Sequence, residues 1–205
     1  MFGFDTKYNF NNKSLNWLEP VIVQWLKIHR DYLEEYDFED SLYWYNERAN
    51  VSALAGSVWK CSGFALEEYS SEKGSDDEKA NGRVDLYLSL GGNDVVVEAK
   101  LHWLYLHNNQ DVNYSEVLSK THDKAKEDIK KTKAQDPTDQ GLALTFVLPY
   151  WKQEENIEQQ IRNLRKDIIE SNHDISVWFH NKTGNSLKSE KGNVFDTVAI
   201  LGDLA

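Results

Sequence analysis

The chain has 205 residues and a formal net charge of -11, with 40% apolar residues, 28% charged residues and one cysteine, Cys61. About 70% of the unfolded chain's surface can be buried at this length, so one domain needs neither a structural metal nor a disulfide framework, and a lone cysteine excludes the latter within the chain. The acidic balance argues against a protein that blankets nucleic acid with positive surface, and no apolar run nears the roughly 18 to 20 residues that cross a bilayer.

The opening MFGFDTKYNFNNKS lacks the basic start and apolar centre of a secretory leader, and the expected compartment is the reducing cytoplasm, away from any membrane. Leu15, Leu18, Ile22, Trp25, Leu26, His29 and Leu33 recur at helical spacing and predict a helix over 15–36. The acidic run DYLEEYDFED (31–40) reads as a solvated helix end or a docking surface for a protein partner. A second helix is predicted over 40–61, on the stripe Val51, Leu54, Ala55 and Val58. The polar segment 70–82 reads as an exposed loop.

The period then changes to two. Val84, Leu86, Leu88 and Leu90 alternate with Arg83, Asp85, Tyr87 and Ser89, and after Gly91-Gly92 the run NDVVVEAK (93–100) follows as a second strand. A helix over 113–134 is expected to bury Val117, Leu118, Thr121, Ala125 and Ile129. LALTFVL (142–148) is a nearly continuous apolar strand expected to stop at Pro149. A helix over 153–171 and strands at 175–179 and 194–201 complete the chain. A hairpin leading into two βαβ crossovers predicts a single α/β domain over 1–205, a mixed sheet with helices on both faces. The tryptophans all fall in or beside these elements and read as core or rim packing.

The hairpin 82–100 carries the chemistry. If Gly91-Gly92 is the two-residue turn, Leu90 pairs with Asn93 and, by counting back, Asp85 faces Glu98, with Cβ atoms about 5 Å apart. Lys100 lies one pleat along on the Glu98 face. Two opposed carboxylates need compensation from a raised pKa, from a salt bridge to Lys100 or Arg83, or from a divalent cation. Mg²⁺ or Mn²⁺ held by Asp85 and Glu98, with Lys100 orienting a water, is an arrangement suited to phosphate-ester hydrolysis.

Asp85, twelve residues, then Glu98-Ala99-Lys100 across strand, turn and strand resembles the signature of the PD-(D/E)XK nuclease superfamily, the restriction-endonuclease-like fold. The resemblance spans about 40–150 and implies an α-β-β-α-β core, with the N-terminal helix and a C-terminal α-β-β unit as extensions. It implies a metal-dependent nuclease with Asp85 and Glu98 as metal ligands, Lys100 as catalytic residue, and nucleic acid, DNA foremost, as partner. Members often carry a glutamate on the first core helix. Glu47 matches it, at the head of the stripe Val51, Leu54 and Val58; it either assists the metal or sits at the stripe's edge and reaches water. Gln110 to Tyr114 resembles the Gln-x-x-x-Tyr motif of the RecB-like branch. The residue before Asp85 is Val84 where such folds commonly have Pro.

Lys120, Lys124, Lys126, Lys130, Lys131 and Lys133 form either a local basic surface, with Lys120, Lys124 and Lys131 meeting phosphates, or an ordinary solvated helix face. His102 and His107 are spaced for neither a strand face nor a helix face and do not suggest shared zinc ligation, and Cys61 reads as a buried small side chain. No glycine-rich phosphate loop is present. The alternative to an enzyme is a non-catalytic protein on the same scaffold, an inhibitor, immunity factor or subunit acting through its acidic surface. A third reading is an unrelated α/β domain, with Asp85, Glu98, Lys100 and Arg83 as a surface ion-pair network.

Overall fold

Among residues 3–73, 80–107, 112–133 and 140–205, which the computed structural model describes, eight strands form one mixed sheet and four α-helices cover it. Chain order is β1 (Phe4–Phe10), α1 (Glu19–Glu35), α2 (Glu47–Lys60), β2 (Phe64–Lys73), β3 (Ala80–Leu90), β4 (Asn93–Tyr105), α3 (Tyr114–Lys133), β5 (Gly141–Lys152), α4 (Glu158–Ile169), β6 (Ile175–Asn181), β7 (Asn193–Val194) and β8 (Thr197–Leu204). Across the sheet the order is β1-β6-β8-β5-β4-β3-β2, with β7 against the end of β5. The β4–β5 pair is parallel and α3 is its crossover. The second crossover, through α4, ends on β6, which runs the same way as β5 but is separated from it by the antiparallel β8. Among the described residues no helix is long and apolar enough to cross a membrane.

The two faces have separate cores. Val51, Leu54 and Val58 of α2 join Leu86, Leu88, Val95, Val97 and Ala99 in one core, which continues through Trp25 and Leu33 of α1 to Phe179 of β6. On the opposite face Leu118 of α3 and Ile161, Leu164 and Ile168 of α4 cover Val147, Trp178, Ala199 and Leu201. The buried stripe of α3 differs from the expected one. Val117 is 37% exposed, and Leu118, His122, Ala125, Ile129 and Thr132 face the sheet. Two polar side chains therefore sit on an otherwise apolar face, and each must find a partner there.

Strands β1 and β2 carry no expectation from periodicity. Both are edges of the sheet, where one neighbour and a solvated face leave a weak apolar signal. The expected loop at 70–82 is correspondingly shorter: Ser70 pairs with Arg83 and Lys73 with Ala80, and 74–79 lies outside the described residues. The second helix begins at Glu47, after a 3₁₀ turn over Leu42–Trp44, where Asn46 Oδ1 caps the Ala49 amide.

Pro149 does not stop β5, which continues to Lys152. Tyr150 O accepts from Leu106, so the imino nitrogen one residue earlier points to the other side of the strand. There the β8 ladder has ended at Val147 and β7 begins only at Trp151, so no ladder donor is missing at Pro149. The last expected strand, 194–201, is split at Phe195 and Asp196. The Asp196 carboxylate accepts the Leu187 amide at 3.0 Å and the Phe195 carbonyl accepts from Tyr43 Oη at 2.9 Å. Cys61 is half-exposed at the end of α2 rather than buried, and Trp59 and Trp103 are 54% and 41% exposed.

Candidate functional site

The hairpin register is the expected one from the turn to Leu86. Gly91 and Gly92 both have positive φ (62° and 81°), Leu90 pairs with Asn93 and Leu86 with Val97. One step further the ladder ends, so Asp85 does not stand opposite Glu98 as a paired residue. Its Oδ2 instead accepts the Ala99 backbone N–H at 2.7 Å, a charge-assisted bond that takes the place of a ladder bond where the two strands part. Opposed carboxylates repel, and parting there is the cheaper arrangement.

The side-chain alternation of β3 breaks at the same point. Leu86 and Leu88 pack under α1 and α2, whereas Val84 packs with Val96, Ala125 and Ile129 on the α3 side. In the neighbouring β2 the break is matched by Glu68, held at φ 51°. Glu68 accepts from Arg48 at 3.1 Å and from Arg83 at 3.4 Å, so Arg83 compensates Glu68 and not the expected pair.

Glu98 and Lys100 share the α3 face, as the alternation requires, and α3 supplies a partner to each. Thr132 Oγ1 donates to Glu98 Oε1 at 2.7 Å, and Asp128 Oδ2 meets Lys100 Nζ at 2.9 Å. Glu98 is only 2% exposed. Lys100 also donates to the Ala99 carbonyl at 3.0 Å. Burial alone would lower the Lys100 pKa; the hydrogen bond and charge of Asp128, then the charges of Asp85 and Glu47, outweigh it and raise it. Lys100 is thus a fixed ammonium, suited to stabilising negative charge and not to accepting a proton.

Glu47 belongs to the same group. It is half-buried in the first turn of α2, beside the Leu101 amide. Burial raises its carboxyl, the Lys100 ammonium opposes that rise, and the Asp85 charge adds to it. Glu47, Asp85 and Lys100, from α2, β3 and β4, therefore feel one another's charge beside the point where β3 and β4 part, and Glu98 shares the α3 face with Lys100. Glu47, Asp85 and Glu98 do not bring three carboxylate oxygens within 4.8 Å of one another. The donors that these residues offer are all oxygen, the type that Mg²⁺ takes, and Mg²⁺ is commonly held by one or two carboxylates and keeps several waters.

Asp128 and Thr132 are the members of this group that the sequence did not single out; their four-residue spacing on one helix face is the signal that points to them. Of the other candidates, Tyr114 opens α3 and is buried against α4, and Gln110 lies outside the described residues. His102 Nδ1 contacts Thr121 Oγ1 at 2.8 Å and the His107 ring packs on Tyr105. Lys120 and Lys124 are exposed, whereas Lys131 pairs with Asp128 at 3.2 Å. Comparison of the chain with known protein families, with curated proteins and with solved structures returns no match.

Proposed function

We propose that this chain is a divalent-cation-dependent phosphodiesterase of the PD-(D/E)XK nuclease kind that acts on nucleic acid, DNA foremost. The observation that carries the reading is the meeting of Glu47, Asp85 and Lys100 where β3 and β4 part, with Glu98 two residues before Lys100 on the same strand. The surroundings support it: α2 precedes the hairpin, α3 is a crossover and β5 a parallel strand beside β4, the places that the resemblance implies.

Asp85 and Glu98 would hold Mg²⁺ or Mn²⁺, with Glu47 assisting. When bound, the cation supplies polarisation of the phosphoryl oxygen and a water of lowered pKa. The chain's own contribution is positional. The Ala99 amide holds the Asp85 carboxylate, Thr132 holds Glu98, and Lys100 would present a positive charge to the anion that develops on the phosphate. The exposed Lys120 and Lys124 of α3 would meet neighbouring phosphates.

One observation favours the non-catalytic alternative, the ion pair that holds Lys100 on Asp128 within a chain of net charge -11. Titration calorimetry with Mn²⁺ and Mg²⁺ separates the two readings. Millimolar-range binding that Asp85→Asn abolishes supports the enzyme; no heat of binding at those concentrations leaves an acidic binding scaffold.

A further inference from the structure

On the same sheet face, but away from the hairpin, three elements distant in sequence meet. His122 lies on the buried stripe of α3, His173 in the connection between α4 and β6, and Asp203 in β8. His122 Nε2 lies 3.2 Å from Asp203 Oδ2, and His173 Nδ1 lies 3.1 Å from Asp203 Oδ1. The three potential ligand atoms all fall within 4.8 Å of one another. We propose that His122 Nε2, His173 Nδ1 and an Asp203 carboxylate oxygen form a binding site for a zinc-class divalent ion.

The donor set is the first argument. Two imidazole nitrogens and one carboxylate suit Zn²⁺, Co²⁺ or Ni²⁺, whereas Mg²⁺ and Ca²⁺ prefer all-oxygen shells. Bonds of about 2.0 to 2.1 Å in a tetrahedral site put ligand atoms about 3.3 Å apart. Both nitrogen–oxygen separations are of that size, His122 to Oδ2 and His173 to Oδ1, so an ion enters between the two rings once the carboxylate turns to offer it one oxygen. It takes the place of the imidazole hydrogens that face Asp203: the His122 hydrogen moves to Nδ1, where Thr145 Oγ1 accepts it, and the His173 hydrogen moves to Nε2.

The surroundings supply what such a site needs beyond its ligands. His122 Nδ1 lies 3.0 Å from Thr145 Oγ1 on β5, which holds the ring with Nε2 toward Asp203. The Asp174 amide donates to Asp203 Oδ1 at 3.0 Å and fixes the carboxylate from the other side. A cavity of about 600 Å³, lined by Asn113, Ser115, Lys166, His173 and Asp203 among others, leaves the fourth position open to water.

Lys126 also contacts Asp203 and competes with a cation for it. Its side chain is 35% exposed and can swing into solvent when the ion enters. This competition gives the site a signature that scattered surface histidines lack: replacing Lys126 should tighten metal binding.

The test is titration of the full chain with Zn²⁺ and with Co²⁺, read by calorimetry and by the visible absorption of bound Co²⁺. One ion per chain is expected, with Mg²⁺ failing to compete. His173→Ala, at a side chain 24% exposed and so tolerable to the fold, should weaken binding by at least about tenfold. His122→Gln should do the same, and Lys126→Met should tighten binding by about tenfold. Asp85→Asn should leave zinc affinity unchanged, which keeps this site's fate separate from that of the hairpin. The proposal is overturned if no saturable uptake of zinc or cobalt occurs, if folded His173→Ala binds as wild type does, or if Lys126→Met binds no tighter.

Discussion

The Asp85 carboxylate takes the Ala99 amide hydrogen at 2.7 Å, and so joins the two strands at the point where their own pairing ends. An asparagine can accept the same hydrogen through its carbonyl oxygen, whereas alanine cannot. Asp85→Asn should therefore keep the wild-type melting temperature while losing metal-dependent cleavage. Asp85→Ala should lose cleavage and also about 1 kcal/mol of stability or more, because the Ala99 amide loses its acceptor. Thermal melts of the two variants beside cleavage assays check the split; equal destabilisation by both would show that the hydrogen bond contributes little.

Thr132 holds a carboxylate that is almost wholly buried. Removing its hydroxyl in Thr132→Val takes one donor from Glu98 and should cost about 1 to 3 kcal/mol in urea unfolding. Glu98→Gln, which still offers an acceptor to Thr132, should unfold near the wild-type midpoint but lose divalent-ion binding. A Thr132→Val variant as stable as wild type would contradict the assigned contact.

Asp128 raises the Lys100 pKa through a hydrogen bond and a charge, against burial. With Asp128→Asn the burial effect is less opposed and the pKa falls. Under the nuclease reading the protonated lysine is the useful form, so the alkaline limb of the pH–rate profile should move to lower pH. A profile that does not move would remove Lys100 from the reaction.

His29 provides a pH test of the fold that is independent of the site. It is buried among Trp25, Tyr43 and Phe179, its ring nitrogens find no hydrogen-bond partner among the described residues, and burial lowers its pKa from 6.5 to about 3. Between those values the unfolded chain binds a proton that the folded chain refuses. The contribution of His29 to stability is therefore complete above pH 6.5 and is lost as the pH falls toward about 3. His29→Leu should remove a slope of about 1.4 kcal/mol per pH unit from that window in urea unfolding measured against pH. An unchanged slope would contradict the buried neutral imidazole.

How far the sequence anticipates this molecule depends on which interactions are local. The diglycine turn and the alternation around it place the register from Leu90–Asn93 to Leu86–Val97, because a two-residue turn leaves one pairing open. The same alternation fails at Val84 and Asp85, where β2, through the left-handed Glu68, imposes a break that no local pattern in β3 encodes. Edge strands β1 and β2 lack the apolar density of buried strands, and Pro149 is tolerated because neither the β8 nor the β7 ladder reaches its nitrogen. Glu47 was legible through its helical stripe. His122, His173 and Asp203 were not, since three isolated residues on separate elements meet only once the sheet order is known.

The most direct test of the central claim is a cleavage assay on single- and double-stranded DNA with Mn²⁺ or Mg²⁺, run with wild-type protein and Glu98→Gln in parallel. The account expects chelator-sensitive cleavage by the wild type and a loss of at least about a hundredfold in the variant at unchanged fold. Equal cleavage by both proteins, or none by the wild type on any nucleic acid, would contradict it.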